Sequence, residues 1–89
     1  MKIIYTKQAT KDAKKIKDQK LILRITRIVT ELKNANSINE ISAVKKISGN
    51  PFAYRIRIGD YRMGVILKDK DTLEILRILK REDIYKVFP

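Results

Sequence analysis

The chain has 89 residues, with 21 Lys and Arg against 10 Asp and Glu, a net charge of +11, and neither cysteine nor histidine. That length suits one domain over residues 1–89 with a modest core, because chains divide only well beyond about 250 residues. The missing residue types exclude disulfides, thiolate metal sites, zinc enzymology and histidine-dependent ribonuclease chemistry.

The excess of cations implies an anionic partner, nucleic acid first and an acidic protein second. A membrane surface fits less well, since Lys7 to Lys20 offers little bulky apolar surface. No apolar run is long enough for a signal peptide or a membrane span. The expectation is a cytoplasmic chain with no metal and no cofactor.

In chain order, Met1 to Tyr5 has the branched and aromatic character of a short strand, and Thr6 is a suitable helix cap. Ala9, Ala13 and Ile16 then fall on one helical face, with lysines on the rest. A break near Asp18 starts a second helix, in which Leu21, Ile25, Ile28, Val29 and Leu32 form an apolar stripe widened by Ile22. Arg24 and Arg27 lie off that stripe. Asn34 to Ser37 is turn chemistry, and Ser37 is placed to cap a single helical turn containing Glu40.

After the loop at Ser48-Gly49-Asn50-Pro51 the apolar period changes from 3.6 to 2. Tyr54, Ile56 and Ile58 alternate with Arg55 and Arg57, which is a half-buried strand. Gly59-Asp60 suits a two-residue hairpin turn, with a return strand from Tyr61 to Leu67 or Lys68. A second tight turn at Asp69-Lys70-Asp71 leads to a largely apolar strand, Leu73 to Leu79, expected inside the sheet. The order predicts a two-layer α+β domain: an N-terminal strand and a two-helix hairpin packed on a mainly antiparallel, four-stranded sheet.

Basic residues concentrate in the second half. Arg55 and Arg57 project from one face about 6.5–7 Å apart, and the hairpin register sets Arg57 opposite Arg62. Like charges so placed are destabilising, which points to a bound polyanion, a solvated face or ion pairs being the alternatives. By strand alternation Arg77 shares a face with Leu73, Ile75 and Leu79, as a fourth anion contact or as a snorkelling edge residue. Lys45 and Lys46 precede the loop and stand either at the rim of a site or in solvent. Arg81 and Tyr85, four apart, share a face if the chain makes a helical turn after the last strand. Tyrosine there can stack on an unpaired base or, with Val87 and Phe88, pack the C-terminus on the core.

The segments Val44-Lys45-Lys46-Ile47, Tyr54-Arg55-Ile56-Arg57-Ile58-Gly59-Asp60-Tyr61-Arg62 and Leu76-Arg77-Ile78-Leu79-Lys80-Arg81-Glu82-Asp83-Ile84-Tyr85 resemble the RelE/ParE superfamily of bacterial toxins. The resemblance runs along essentially the whole chain. It implies the toxin of a type II toxin–antitoxin pair, in the RelE-like case a ribosome-dependent messenger RNA endoribonuclease that inhibits translation. The implied chemistry is metal-independent attack by a ribose 2′-hydroxyl on the adjacent phosphate. The implied catalytic residues are Arg57, Arg62, Arg81 and Tyr85, with Lys45, Lys46, Arg55, Arg77 and Lys80 binding RNA. The implied partners are a small acidic antitoxin, the ribosome and its messenger, with operator DNA reached only through the antitoxin complex.

Two positions depart from the resemblance. Arg57 stands where some relatives have lysine, and Lys80 where many have histidine. A guanidinium cannot give up its proton to serve as a base, so Lys80, Glu82, Tyr85 or a ribosomal group is left for that duty. A ParE-like gyrase inhibitor without chemistry of its own, or a non-toxic relative binding only antitoxin or operator DNA, are the alternative expectations. Arg62→Ala or Arg81→Ala is expected to relieve growth arrest with the fold intact.

Overall fold

A computed structural model describes residues 1–89, and one five-stranded sheet organises them. The elements are β1 (Lys2–Tyr5), α1 (Lys7–Lys15), α2 (Gln19–Asn34), a 3-10 turn (Ile38–Glu40), β2 (Val44–Lys46), β3 (Ala53–Ile58), β4 (Tyr61–Asp69), β5 (Thr72–Lys80) and α3 (Arg81–Val87). The strand order is β1-β5-β4-β3-β2, antiparallel except where β1 runs parallel to β5. No helix is long and apolar enough to cross a membrane.

Local chemistry sets the boundaries. Thr6 caps α1 by accepting from the Ala9 N–H at 3.0 Å, and Asp18 caps α2 by accepting from the Lys20 and Leu21 N–H groups. Each satisfies donors that a helix start leaves open. Ser37 and Glu40 form a reciprocal capping box around the 3-10 turn. Gly59, at φ 59°, takes the left-handed position of the β3–β4 turn that a side chain would resist.

The sheet has two differently covered faces. On one, α1 and α2 close the larger core, which includes Ile56, Ile58, Met63, Val65, Leu73, Ile75 and Ile78 with Leu21, Val29 and Leu32. On the other, Ile84 and Phe88 cover only part of the sheet, with Ile47 and Ala53 and against Ile66, Leu76 and Leu79. Gly64 makes that contact possible. A Cβ there would stand 2.7–2.9 Å from the Phe88 ring, so glycine is the residue that lets the ring lie on the strand.

Two expectations need correction. The sheet has five strands rather than four, because Val44–Lys46 pairs with β3 in the register Val44↔Ile56, Lys45↔Arg55, Lys46↔Tyr54. Three residues are too few for alternation to declare a strand. The apolar period of β5 is also interrupted: Gly64 pairs with Arg77 but Val65 pairs with Ile75, so Leu76 is an extra residue. Ile75 and Ile78, three apart, therefore both enter the larger core, while Leu76 and Leu79 pack on the other side.

Candidate functional site

The uncovered part of the α3 face is a groove of about 600 Å³ beside α3, lined by residues 42–45, Arg55, Arg57, Arg62, Arg81 and Tyr85. Its side chains come from four elements. Lys45 on β2 lies opposite Arg55 on β3, and Arg57 lies opposite Arg62 on β4. Both like-charge pairs therefore sit directly across the ladder, where each costs a few tenths of a kcal/mol or more, up to about 1. No Asp or Glu carboxylate lies within 4.0 Å of any of these cations, since the ion pairs present are Lys68–Glu74, Arg77–Asp12 and Lys86–Asp83. The groove is built against self-repulsion and lacks an internal counter-charge.

The last helix supplies the rest. Its N–H at Arg81 donates to the Asp60 carbonyl at 2.9 Å, tying the helix start to the β3–β4 turn. Ile84 and Phe88, four apart, are buried, whereas Arg81 and Tyr85, also four apart, face the groove. One helix thus anchors with one face and presents with another. Packing of the C-terminus falls to Ile84 and Phe88, while Tyr85 stays 51% exposed.

Tyr85 is held among cations. The Arg55 guanidinium carbon stands 4.5 Å from its ring centroid and that of Arg81 5.8 Å away, both within cation–π range. The Arg81 Nε–H points at the phenol oxygen over 3.5 Å, the outer limit of a hydrogen bond. That contact holds the phenol below its usual range; desolvation opposes it, and the charges of Arg55, Arg81 and Arg62 add to the lowering. The same contact raises the Arg81 guanidinium. Because the phenol oxygen accepts from Arg81, its own proton remains free to be exchanged with a ligand.

Arg62 is more constrained than the others. Its Nη1 donates to the Gly59 carbonyl at 2.9 Å and to the Tyr61 carbonyl at 2.8 Å. The side chain braces the hairpin while facing the groove, so Arg62→Ala removes a structural contact as well as a charge.

Of the residues expected to meet, Lys45, Arg55, Arg57, Arg62, Arg81 and Tyr85 do so. Three do not. Arg77 is corrected most clearly: its Nε and Nη2 donate to the Asp12 carboxylate of α1 at 2.9 and 3.2 Å, and the Ile78 N–H donates to the same carboxylate at 3.0 Å. Asp12 is 5% exposed, and its hydrogen bond and charge raise the Arg77 guanidinium. The strand bulge breaks the alternation on which the Arg77 expectation rested. Lys46, one residue beyond Lys45 on β2, lies instead at the 46–51 loop, because successive strand side chains point to opposite faces. Lys80 stands at the start of α3 without a capping side-chain hydrogen bond, exposed and outside the groove lining. Residues 42–44 line the groove without having been expected there; no side-chain chemistry marks them.

No carboxylate, thiol or imidazole lines the groove, and nowhere do three such groups assemble. The arrangement suits an anion with several negative oxygens. Four guanidiniums are available to donate to it, and one phenol of lowered pKa stands beside them.

These features define a small α+β domain whose open sheet face is a cationic groove closed at one end by its last helix. The profile of the family described as ParE toxin of type II toxin-antitoxin system, parDE, matches residues 3–85. The chain is similar to Toxin RelE3 of Methanocaldococcus jannaschii, with 39% identity over 90 residues and all of both chains covered. It is also similar to the structure of a RelB-RelE antitoxin-toxin complex from Methanococcus jannaschii, with 37% identity, a TM-score of 0.80 and coverage of 97% of this chain and 99% of that one. An archaeal RelE-RelB complex from Pyrococcus horikoshii OT3 follows at 25% identity and a TM-score of 0.72, covering 90% and 93%. The chain belongs to the RelE/ParE family of type II toxin–antitoxin toxins, and its likeness is to RelE toxins.

Proposed function

We propose that this toxin is a ribosome-dependent messenger RNA endoribonuclease acting in the cytoplasm, with the groove as its active site. The observation that carries the reading is the convergence of Arg55, Arg57, Arg62, Arg81 and Tyr85 on one open groove without a carboxylate. Attack of a 2′-hydroxyl on the adjacent phosphate builds negative charge on the phosphorane oxygens. Preset guanidiniums stabilise that charge, which is ordinarily the largest catalytic contribution.

Proton transfer falls to Tyr85. Among the residues of this chain open to base duty, Lys80 and Glu82 stand outside the groove lining, whereas Tyr85 lines it and has a lowered phenol pKa. Its phenolate takes the 2′-hydroxyl proton. The leaving 5′-oxygen, near the Arg81 charge, takes a proton from solvent, giving a cyclic phosphate and a free 5′-hydroxyl. Alignment of the attacking and leaving oxygens is assigned to the ribosome.

A small acidic antitoxin, a segment of which folds over the groove, would supply the missing counter-charge; operator DNA would be met only through that complex. The RelB-RelE structures from Methanococcus jannaschii and Pyrococcus horikoshii support such a partner. The ParE family match supports a second reading, a gyrase poison that binds without chemistry. Brief induction followed by mapping of transcript 5′ ends separates them. Cuts confined to the translated copy of one transcript, abolished by Arg81→Ala, are expected. DNA breaks with intact messages would instead establish the gyrase reading.

A further inference from the structure

A second concave site is also built from arginines. Arg24 and Arg27 of α2 meet Arg57 and Ile58 of β3 across a cleft of about 200 Å³ that also includes Ile28 and Ala43. Residues three apart on a helix share a face, with Cβ atoms about 5–6 Å apart, so the two α2 guanidiniums enter the cleft as a pair.

Its position relative to the groove follows from the shortness of β2. That strand reaches only as far as the pairing Val44↔Ile56, so Arg57 lies past its end and donates its N–H to the Ala43 carbonyl at 3.1 Å. Arg57 and Ala43 consequently line both the groove and the cleft. One exposed arginine at the sheet edge joins the two sites.

The cleft is as uncompensated as the groove. Glu31 stands four residues after Arg27, the spacing at which helical ion pairs form, yet Arg27 makes no ion pair, and neither does Arg24 or Arg57. The Arg24 Nη1 lies 2.8 Å from the point a Cβ on Gly59 would occupy, so the bare turn leaves room for the guanidinium. Three exposed arginines lining one cleft of about 200 Å³ make it attractive to an anion. Ile58 is buried and Ala43 is small, so the cleft offers an acidic peptide little apolar anchorage. It offers forked donors matched to phosphate oxygens.

We propose that the Arg24–Arg27–Arg57 cleft is a second phosphate subsite, which holds the backbone of single-stranded RNA where it leaves the groove around the edge of β3. This rests on the groove being an RNA site, and it lengthens the contacted strand beyond the scissile linkage.

The test uses the whole chain and 2′-O-methyl RNA, which binds but cannot be cleaved by its own 2′-oxygen. Affinities for a twelve-nucleotide and a three-nucleotide strand are measured by fluorescence anisotropy over a salt series. Arg24→Gln with Arg27→Gln should weaken the longer strand about tenfold, as two part-exposed ionic contacts do. It should also flatten the log–log salt slope by up to about 1.4, at roughly 0.7 per phosphate contact, and leave the shorter strand unchanged. Lys14→Gln with Lys15→Gln, an equal loss of charge on the surface of α1, should change either affinity less than about twofold. Equal losses in the two double variants, or no loss in the first, overturn the proposal. So does an equal tenfold loss for a twelve-residue glutamate peptide, which would assign the cleft to an acidic partner. Failure of the groove reading shows separately, as an Arg81→Ala variant that binds the three-nucleotide strand as the parent does.

Discussion

Arg77 and Arg81 lie four residues apart and have opposite fates. Arg77 turns towards α1, where Asp12 takes two of its donors and the Ile78 N–H besides. Arg81 begins α3 with no carboxylate partner and lines the groove with Arg55, Arg57 and Arg62. Where α1 meets β5 the charge is paired with a nearly buried carboxylate, because an unpaired ion there would cost several kcal/mol. Beneath α3 like charges are kept side by side in reach of water, at a small cost that a bound polyanion reverses. Arginine count alone says nothing of role; the position of the nearest carboxylate decides it.

Substitutions on the two faces should therefore divide cleanly. The largest effect is expected at Arg81: Arg81→Ala should lower the rate of messenger cleavage on ribosomes about 10²- to 10³-fold, the usual loss for one preset oxyanion donor, with the melting temperature unchanged. Asp12→Ala should do the reverse. It strands a part-buried guanidinium and the buried Ile78 N–H, and should cost about 1–3 kcal/mol in urea denaturation. Gly64→Ala should cost about 1–3 kcal/mol by pushing on the Phe88 ring, and should lower activity as α3 loosens. Arg57→Ala belongs at the small end, within about 0.5 kcal/mol of the parent in stability because it also relieves repulsion from Arg62. A large stability loss at Arg57 or none at Asp12 would break the contrast.

The pH dependence sharpens the Tyr85 assignment. Lowering a phenol pKa raises the phenolate fraction at any pH beneath it. With Tyr85 as base, single-turnover cleavage should rise about tenfold per pH unit and level off at the lowered pKa. Removing the Arg81 contact lets the pKa return upwards, so the residual activity of Arg81→Ala should level off at higher pH. Tyr85→Phe should flatten the profile. A profile unaltered in Tyr85→Phe would assign the base elsewhere.

Much of this was legible in the residues themselves. The caps at Thr6 and Ser37, the helix break at Asp18, the Gly59-Asp60 turn and the Arg57–Arg62 opposition follow from short-range rules, and the structure has each of them. Arg81 and Tyr85 share a face because four residues make a helical turn, which is local as well. What escaped is non-local. β2 exists through pairing with a strand beyond a loop, and Val-Lys-Lys has no period of its own. The bulge at Leu76 takes Arg77 off the face of Leu73 and Ile75, and its partner Asp12 lies sixty-five residues earlier in the chain. Arg24 and Arg27 read only as lying off an apolar stripe, and their cleft with Arg57 needs the packing of α2 on β3.

The central claim is that one groove joins charge stabilisation by four guanidiniums to proton transfer by Tyr85. The most direct measurement is the chemistry of the ends left on a ribosome-bound message by the purified toxin. A 2′,3′-cyclic phosphate upstream and a 5′-hydroxyl downstream, formed by the parent chain and suppressed together in Arg81→Ala and Tyr85→Phe, is the predicted result. An uncut message with the parent chain, or cutting undiminished in both variants, would contradict it.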